Sequence, residues 1–485
     1  MLPGLLLGAL ALSACATTQP KPSAASNRPA RNTSVRFTPT ATLVRGATVL
    51  DPLHRTAKRQ HVVMQDGRIA ALLQAVPAGF KGRVVAAEGM FLLPAFFDMH
   101  VHAWGNPSPQ DGPDHACGIS ETARFMLYCG VVAFLDLGSN EDRIFGLRDR
   151  QRGRGLKGAD IYAAGAVIGH MAKPRAKQRT AGDGSSGGRL GFRAAQDVAS
   201  AREHVRQLKA KAADVVKVLY DHTGSYMDMP RGVLAALVDE AHRHKMKVVV
   251  HIGTWKDAAD AVAVGADAIT HLWDEDDIPP ALIKTWVAKG GRSIPTQPVQ
   301  VDLPNVLAKP GLLAHPLLQQ VTTAKLRADY RKVDGFVPKA RFWMRYQGPN
   351  AKNYERQLKT MYRGGVLLMA GSDSGNFGVF QGFSLHREMA LMVRAGVPVW
   401  DVLRSATVEP GRFLGRRIGT QVGDEASVVL LRKDPRRDIG NTAAIAQVYK
   451  RGQLVDRAAL LRGTTVDRVG SKQRSLAPVQ DKPSR

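Results

Sequence analysis

Eight times between residues 91 and 370, a short apolar run gives way to a stretch with helical spacing. The runs are Phe91–His102, Val131–Asp136, Ile161–Ile168, Val215–Tyr220, Lys247–Ile252, Ala268–Leu272, Ser293–Gln297 and Val366–Ala370. Helical patterns fill most intervals, as in Gly232–His244, where Val233, Leu234, Leu237 and Ala241 recur on one face. Strands alternating with helices predict a parallel α/β sheet. Eight such units over about 320 residues fit a (β/α)8 TIM barrel, which typically needs about 250. A doubly wound sheet is the alternative, but no glycine-rich dinucleotide turn follows the first strand. The stretch Gly182–Gly191 lacks the lysine and helix of a phosphate loop, and is expected to be a mobile loop near the barrel mouth.

Strand-like segments also flank this region. Ala41–Leu50 is followed by Val62–Gln65 and Arg68–Leu72 around an Asp66-Gly67 turn. Near the other end, Ser427–Leu431 precedes Gln447–Lys450 and Gln453–Asp456 around Arg451-Gly452. The expected organisation is a TIM barrel over 93–414 and a small β-sandwich domain built from both chain ends, 41–92 and 415–462. At 485 residues the chain suits one large α/β domain plus a smaller one.

Residues 1–14 form a short, uncharged, Leu/Ala-rich run of signal-peptide type. It ends in Leu12-Ser13-Ala14-Cys15, which resembles the lipobox of bacterial lipoproteins, although no Lys or Arg precedes the apolar run. The resemblance implies a lipidated Cys15 and a lipid anchor in the membrane of a bacterial cell envelope, facing the periplasm. Ala16, in place of an acidic residue, points to the outer membrane. The alternative is cleavage at Ala14-Cys15-Ala16, which releases a secreted or periplasmic soluble protein. Residues 15–40, rich in Pro, Ser, Thr and Asn, read as a flexible tether reaching about 25–30 Å. Residues 463–485 read as a basic disordered tail. Of three cysteines, Cys117 and Cys129 remain to pair or stay reduced, and sequence separation does not decide which.

The formal net charge is +26, which fits either affinity for phosphate-rich surfaces or a generally Arg-rich proteome. No aromatic-plus-basic array of the kind that stacks bases is visible, so no specific nucleic acid partner is expected.

Chemistry concentrates at the ends of the predicted strands, where barrel active sites lie. His100 and His102 stand two apart in Asp98-Met99-His100-Val101-His102, so both imidazoles leave one face of the strand. Lys217 lies in an otherwise apolar strand, and a buried ammonium tends to lose its proton. His251 and His271 end the next two strands, and Asp373 follows the last, within Gly371-Ser372-Asp373-Ser374. Asp98 shares the parity of the two histidines and reads either as an orienter of these ligands or as a cap on local backbone.

Two His on strand one, Lys on four, His on five, His on six and Asp on eight resemble the binuclear amidohydrolase superfamily. Within it, the chain looks most like the imidazolonepropionase-related branch that contains Xaa-Pro dipeptidases (prolidases). The resemblance spans essentially the whole mature chain, including the segment Gly371–Gly382. It implies a carbamate on Lys217 that bridges two divalent metal ions. His100, His102 and Asp373 would hold the more buried ion, and His251 and His271 the more exposed one. Nitrogen and oxygen ligands without thiolate suit Zn²⁺, with Mn²⁺ or Co²⁺ as alternatives. The implied activity is metal-dependent hydrolysis of C–N amide or peptide bonds, of dipeptide or N-acyl amino acid type, by a metal-bridging hydroxide, with Asp373 as the catalytic proton carrier. Lactone, cyclic-amide or phosphotriester hydrolysis on the same site is the alternative. A reading of another class is a non-catalytic, lipid-anchored protein that binds metal or an envelope partner. His170, Tyr220 and His222 are candidate substrate contacts, and Trp273 a candidate pocket wall. A homo-oligomer is compatible with all of these.

Overall fold

The run from Phe91 to His102 is not one strand but two, broken at Ala95, and the two pieces belong to different sheets. The computed structural model describes residues 36–110, 119–153, 157–170, 191–223, 228–272, 276–308, 310–338, 340–341 and 351–466. The expected signal peptide, Cys15, Cys117, Trp273, residues 182–190 of the glycine-rich stretch and the tail from 467 onward lie outside them. The described residues from Thr38 onward belong to one unit.

Strands β1 (Thr42–Asp51), β2 (Thr56–Gln65), β3 (Arg68–Leu73), β4 (Arg83–Ala86) and β5 (Phe91–Pro94) come first. Asp66 and Gly67 both take positive φ, +51° and +75°, the two-residue hairpin geometry that matches strand twist. At Ala95 the chain changes partners: Ala95 N donates to Ser427 O, and Phe96 N to Gly130 O. From there β6 (Phe96–Val101), β7 (Val131–Asp136) and β8 (Asp160–Ala163) form a parallel three-stranded sheet. The run expected over Ile161–Ile168 is likewise interrupted, with Gly165 at φ +76° between β8 and β9 (Val167–His170).

A second parallel sheet contains β9, β10 (Phe192–Ala195), β11 (Val215–Tyr220), β12 (Lys247–Ile252), β13 (Ala268–Thr270), β14 (Arg292–Ile294) and β15 (Leu367–Leu368). Its order is β10-β9-β11-β12-β13-β14-β15. Backbone hydrogen bonds tie the two sheets at both seams. Met99 N donates to Ala370 O at 3.0 Å and His102 N to Ser374 O at 2.8 Å; opposite, Asp214 N donates to Ala163 O at 2.9 Å. The fold is thus α/β and TIM-barrel-like. Its strands are apolar on both faces because helices cover the outside, and every residue of β6 and β7 is buried.

The last strands, β16 (Val428–Leu431), β17 (Ile445–Lys450) and β18 (Gln453–Leu454), return to the first. β16 pairs antiparallel with β5, so both chain ends share one eight-stranded sheet, with order β18-β17-β16-β5-β1-β2-β3 and β4 on β1. Val44, Val62, Leu92, Val428, Leu430 and Tyr449 bury its apolar face.

Between β14 and β15 lies an elaboration that the periodicity does not announce. Helices Gln297–Ala308, Pro316–Val321 and Ala324–Asp329 pack around Leu303, Leu318, Tyr330, Phe336, Phe377 and Phe380. They clamp the segment after His102. Tyr330 Oη donates to Pro107 O and accepts from Gly378 N, both at 2.9 Å. Ser108 Oγ donates to Asp329 Oδ2 at 2.9 Å. Among the described residues, no helix is long and apolar enough to cross a membrane.

Candidate metal centre

His100 and His102 leave β6 on one face, as the two-residue period requires. The turn after β15 brings Asp373 to them. Its path needs small residues: a Cβ on Gly375 (φ +106°) would lie 2.4 Å from His102 O. One on Gly371 would lie 2.9 Å from His100 N. Asp373 itself adopts φ +58° and donates its amide to His100 O at 2.7 Å. Left-handed backbone at a non-glycine residue is strained, and such strain collects at functional sites. Asp373 Oδ1 then stands 3.4 Å from His100 Nε2 and 3.2 Å from His102 Nε2. The ligating atoms of these three residues all lie within 4.8 Å of one another.

The other three candidates gather round this group. The His271 ring is 5.0 Å from that of His100 and 4.5 Å from that of His251, centroid to centroid. His271 Nδ1 lies 4.0 Å from Asp373 Oδ2. Lys217 is buried on β11 and donates from Nζ to Thr270 Oγ1 at 3.0 Å. Burial pushes its pKa down to about 7, so the amine is readily neutral.

The hydrogen-bond network assigns the tautomers. His102 Nδ1 donates to Gly138 O at 3.0 Å, which leaves the lone pair on Nε2. His271 Nδ1 meets Thr296 Oγ1 at 2.7 Å, again putting the lone pair on Nε2. His251 turns Nε2 toward Asp221 Oδ2 at 3.4 Å, which puts its lone pair on Nδ1. Burial, and then the Lys217 charge, hold His100 well below the usual histidine range; burial does the same for His271. His102 goes the other way, because its bond to Asp373 and that carboxylate's charge outweigh burial. Protons and a cation therefore compete for His102. His100 Nδ1 is buried with no hydrogen-bond partner. Three imidazoles presented as bases, a converging carboxylate and an adjacent buried amine suit a divalent cation with nitrogen and oxygen ligands.

Asp98 resolves toward backbone capping. It accepts from Ser372 N (2.9 Å), Ser372 Oγ (2.6 Å) and His100 N (3.3 Å), bracing the turn that carries Asp373. Burial pushes its pKa up to about 7. Sequence reasoning missed Asp136, Asp221 and Thr296. Asp136 accepts from Ala103 N, Gly138 N and Ser139 Oγ, so it shapes the turn whose carbonyl orients His102. The available signal was position: all three follow or end a strand of the parallel sheets.

The substrate candidates lie outside the ligand group. Tyr220 Oη donates to Asp260 Oδ2 at 3.0 Å, and His222 Nδ1 lies 2.6 Å from Asp257 Oδ1; both carboxylates belong to helix Trp255–Val264. His170 Nδ1 donates to Ala195 O at 2.8 Å. Cys129 is a free, buried thiol whose pKa burial raises to about 12.

A model of the Amidohydrolase family matches residues 91–455. Among solved structures, the chain is similar to a Xaa-Pro dipeptidase with bound methionine in its active site. That match has a TM-score of 0.69 at 19% identity and covers 86% of this chain and 100% of the other. It is also similar to molinate hydrolase, with a TM-score of 0.68 at 20% identity, over 93% of this chain and 100% of that one. At these identities the likeness speaks for the fold. Among curated proteins, adenine deaminase of Deinococcus deserti (strain DSM 17065 / CIP 109153 / LMG 22923 / VCD115) is 45% identical over 60 residues, 12% of this chain and 11% of that protein. This chain thus spans about a tenth of the curated relatives it matches.

Proposed function

The chain belongs to the Amidohydrolase family; from that premise we propose that it is a hydrolase acting on carbon–nitrogen bonds, a binuclear metal-dependent hydrolase of dipeptides or N-acyl amino acids. The observation that carries this reading is the approach of His100, His102 and Asp373 to within 4.8 Å in their ligating atoms. In this reading His100, His102 and Asp373 hold the more buried cation, and His251 and His271 the more exposed one. Neutral Lys217 would add through Nζ to the carbon of carbon dioxide, forming a C–N bond as one C=O π pair moves to oxygen and one proton passes to solvent, and the carbamate so formed would be a further oxygen ligand. The two cations supply Lewis acidity and lower the pKa of water at the site.

The protein's own part is orientation and proton transfer. Asp98 and Asp136 fix the backbone that carries Asp373 and His102. Asp373 accepts the proton of the attacking water at a carboxylate oxygen. It then delivers that proton to the departing amine nitrogen as the C–N bond breaks. No serine or cysteine nucleophile takes part. The same reading includes closure of the parallel strands into a (β/α)8 barrel over 93–414 and a sandwich built from 41–92 and 415–462.

Metal content per chain, measured together with hydrolysis of Xaa-Pro dipeptides, N-acyl amino acids and adenine, tests this function. About two ions per chain and turnover of the first or second class are expected. A chain that takes up no metal, or that hydrolyses only adenine, refutes it.

We also propose lipid anchoring at Cys15 in a bacterial envelope, supported by Leu12–Cys15. Cys15→Ser is expected to abolish labelling by a fatty-acid analogue and to leave the protein unprocessed or soluble. Persistent labelling of that variant contradicts the anchor.

A further inference from the structure

The proton on His271 is placed by a short chain of contacts that ends in a carboxyl group far along the sequence. Thr296 Oγ1 lies 2.7 Å from His271 Nδ1 and donates its own hydrogen to the Pro295 carbonyl, also at 2.7 Å. With its hydrogen committed, the hydroxyl only accepts, so His271 keeps a proton on Nδ1 and a lone pair on Nε2. Thr296 reaches this position at a cost. It is β-branched and sits at φ +53°, a conformation such residues avoid.

Glu388 holds the strained turn. It projects from helix Phe383–Arg394 and is fully buried. Its Oε2 accepts from Gln297 N at 2.9 Å. Glu388 Oε1 has no hydrogen-bond partner. A buried carboxyl that leaves one oxygen unmatched is costly, and the hydrogen bond from Gln297 N offsets part of that cost. Burial holds the group protonated well above the usual carboxylate range. The opposite half of the site has its own brace, since Asp98 secures Ser372 beside Asp373.

We propose that Thr296 and Glu388 are positioning residues for the more exposed cation: Glu388 fixes the 296–297 turn, the turn fixes the Thr296 hydroxyl, and the hydroxyl fixes the tautomer and direction of His271. This rests on the reading of His271 as a ligand. Because the Asp373 half is braced separately, damage here is confined to one of the two cations.

The test is Zn²⁺ or Co²⁺ titration of the demetallated full chain, resolving both dissociation constants, with the Co²⁺ visible spectrum as a second readout. Thr296→Val keeps the shape and removes the acceptor. It is expected to weaken the second cation about 10–100-fold, the usual cost of losing a ligand's outer partner, and to leave the first within about twofold. Thr296→Ser restores the wild-type constants. Glu388→Ala behaves like Thr296→Val, whereas Glu388→Gln, which keeps an acceptor for Gln297 N, stays close to wild type. Two unchanged constants in Thr296→Val overturn the inference, as does equal loss of both cations, which marks a merely structural role. If Glu388→Ala fails to fold, the Thr296→Val and Thr296→Ser pair decides. A wild-type chain that never takes a second cation overturns the ligand reading itself. A wild-type chain with two cations and an indifferent Thr296→Val overturns only the positioning role.

Discussion

Lys217→Ala is expected to lose at least one of two metal ions per chain and to lower turnover by about 100-fold or more, since even outer partners of metal ligands cost that much. The lysine is buried, its Nζ donates to Thr270 Oγ1, and burial leaves the amine near neutrality at about pH 7. A neutral amine reacts with carbon dioxide; an ammonium does not. Removing the side chain leaves space for a short carboxylate, so formate, acetate or propionate is expected to restore part of the rate by supplying the missing oxygens. Metal analysis of the purified variant, with rates measured with and without these acids, checks each part. Both metals and full rate in Lys217→Ala would show that no bridging group forms there.

Asp373→Asn is expected to lower turnover about 10²–10⁴-fold, the usual worth of a positioned proton carrier, with a smaller effect on KM. Local geometry favours a clean experiment. Asn376 Nδ2 donates to Asp373 Oδ1 at 2.9 Å, so an asparagine carbonyl oxygen is held on the side of His100 and His102. The amide nitrogen then replaces Oδ2, and the group no longer accepts a proton. Asparagine also tolerates the φ of +58° found here, so the fold is not put at risk. Occupancy must be measured alongside the rates, because a demetallated variant is inactive for another reason. Near-normal hydrolysis with both metals bound would sink the proton-carrier role. In the wild type, activity is expected to fall toward acid. Protonation of His102, whose pKa is raised by its bond to Asp373 and that carboxylate's charge against the effect of burial, competes directly with a cation.

Much of the centre is legible in the sequence. Parity along β6 places His100 and His102 on one face, and strand ends in an alternating α/β chain converge whatever their separation in sequence. Those two rules nominate His251, His271, Lys217 and Asp373; the structure brings Asp373 to His100 and His102 and sets the His271 ring beside those of His100 and His251. The hairpin turn at Asp66-Gly67 is equally readable, because two consecutive positive φ values favour such residues, and at Arg451-Gly452 the glycine alone gives the signal.

Other features are decided by partners distant in sequence. Nothing in the apolar run Phe91–His102 marks Ala95 as the point of division; β16 and Gly130 impose it by pairing on either side. Asp98 reads equally well as an orienter or a cap, and Ser372, 274 residues away, decides between them. Tyr220 and His222 read as substrate contacts, yet Asp260 and Asp257 of a neighbouring helix engage them. The helices inserted after β14 carry no period of their own, and only their packing on Tyr330 and Phe380 reveals that they clamp the segment after His102.

What the sequence determined by itself was therefore the set of ligand-type side chains and the strands that carry them, because period and strand polarity are local properties of the chain. What only the tertiary structure decided was which nitrogen of His102, His271 and His251 carries the proton. That choice belongs to Gly138, Thr296 and Asp221, groups on other segments of the chain. A proton's position on an imidazole depends on the acceptor it meets, and that acceptor exists only once the strands have closed on one another.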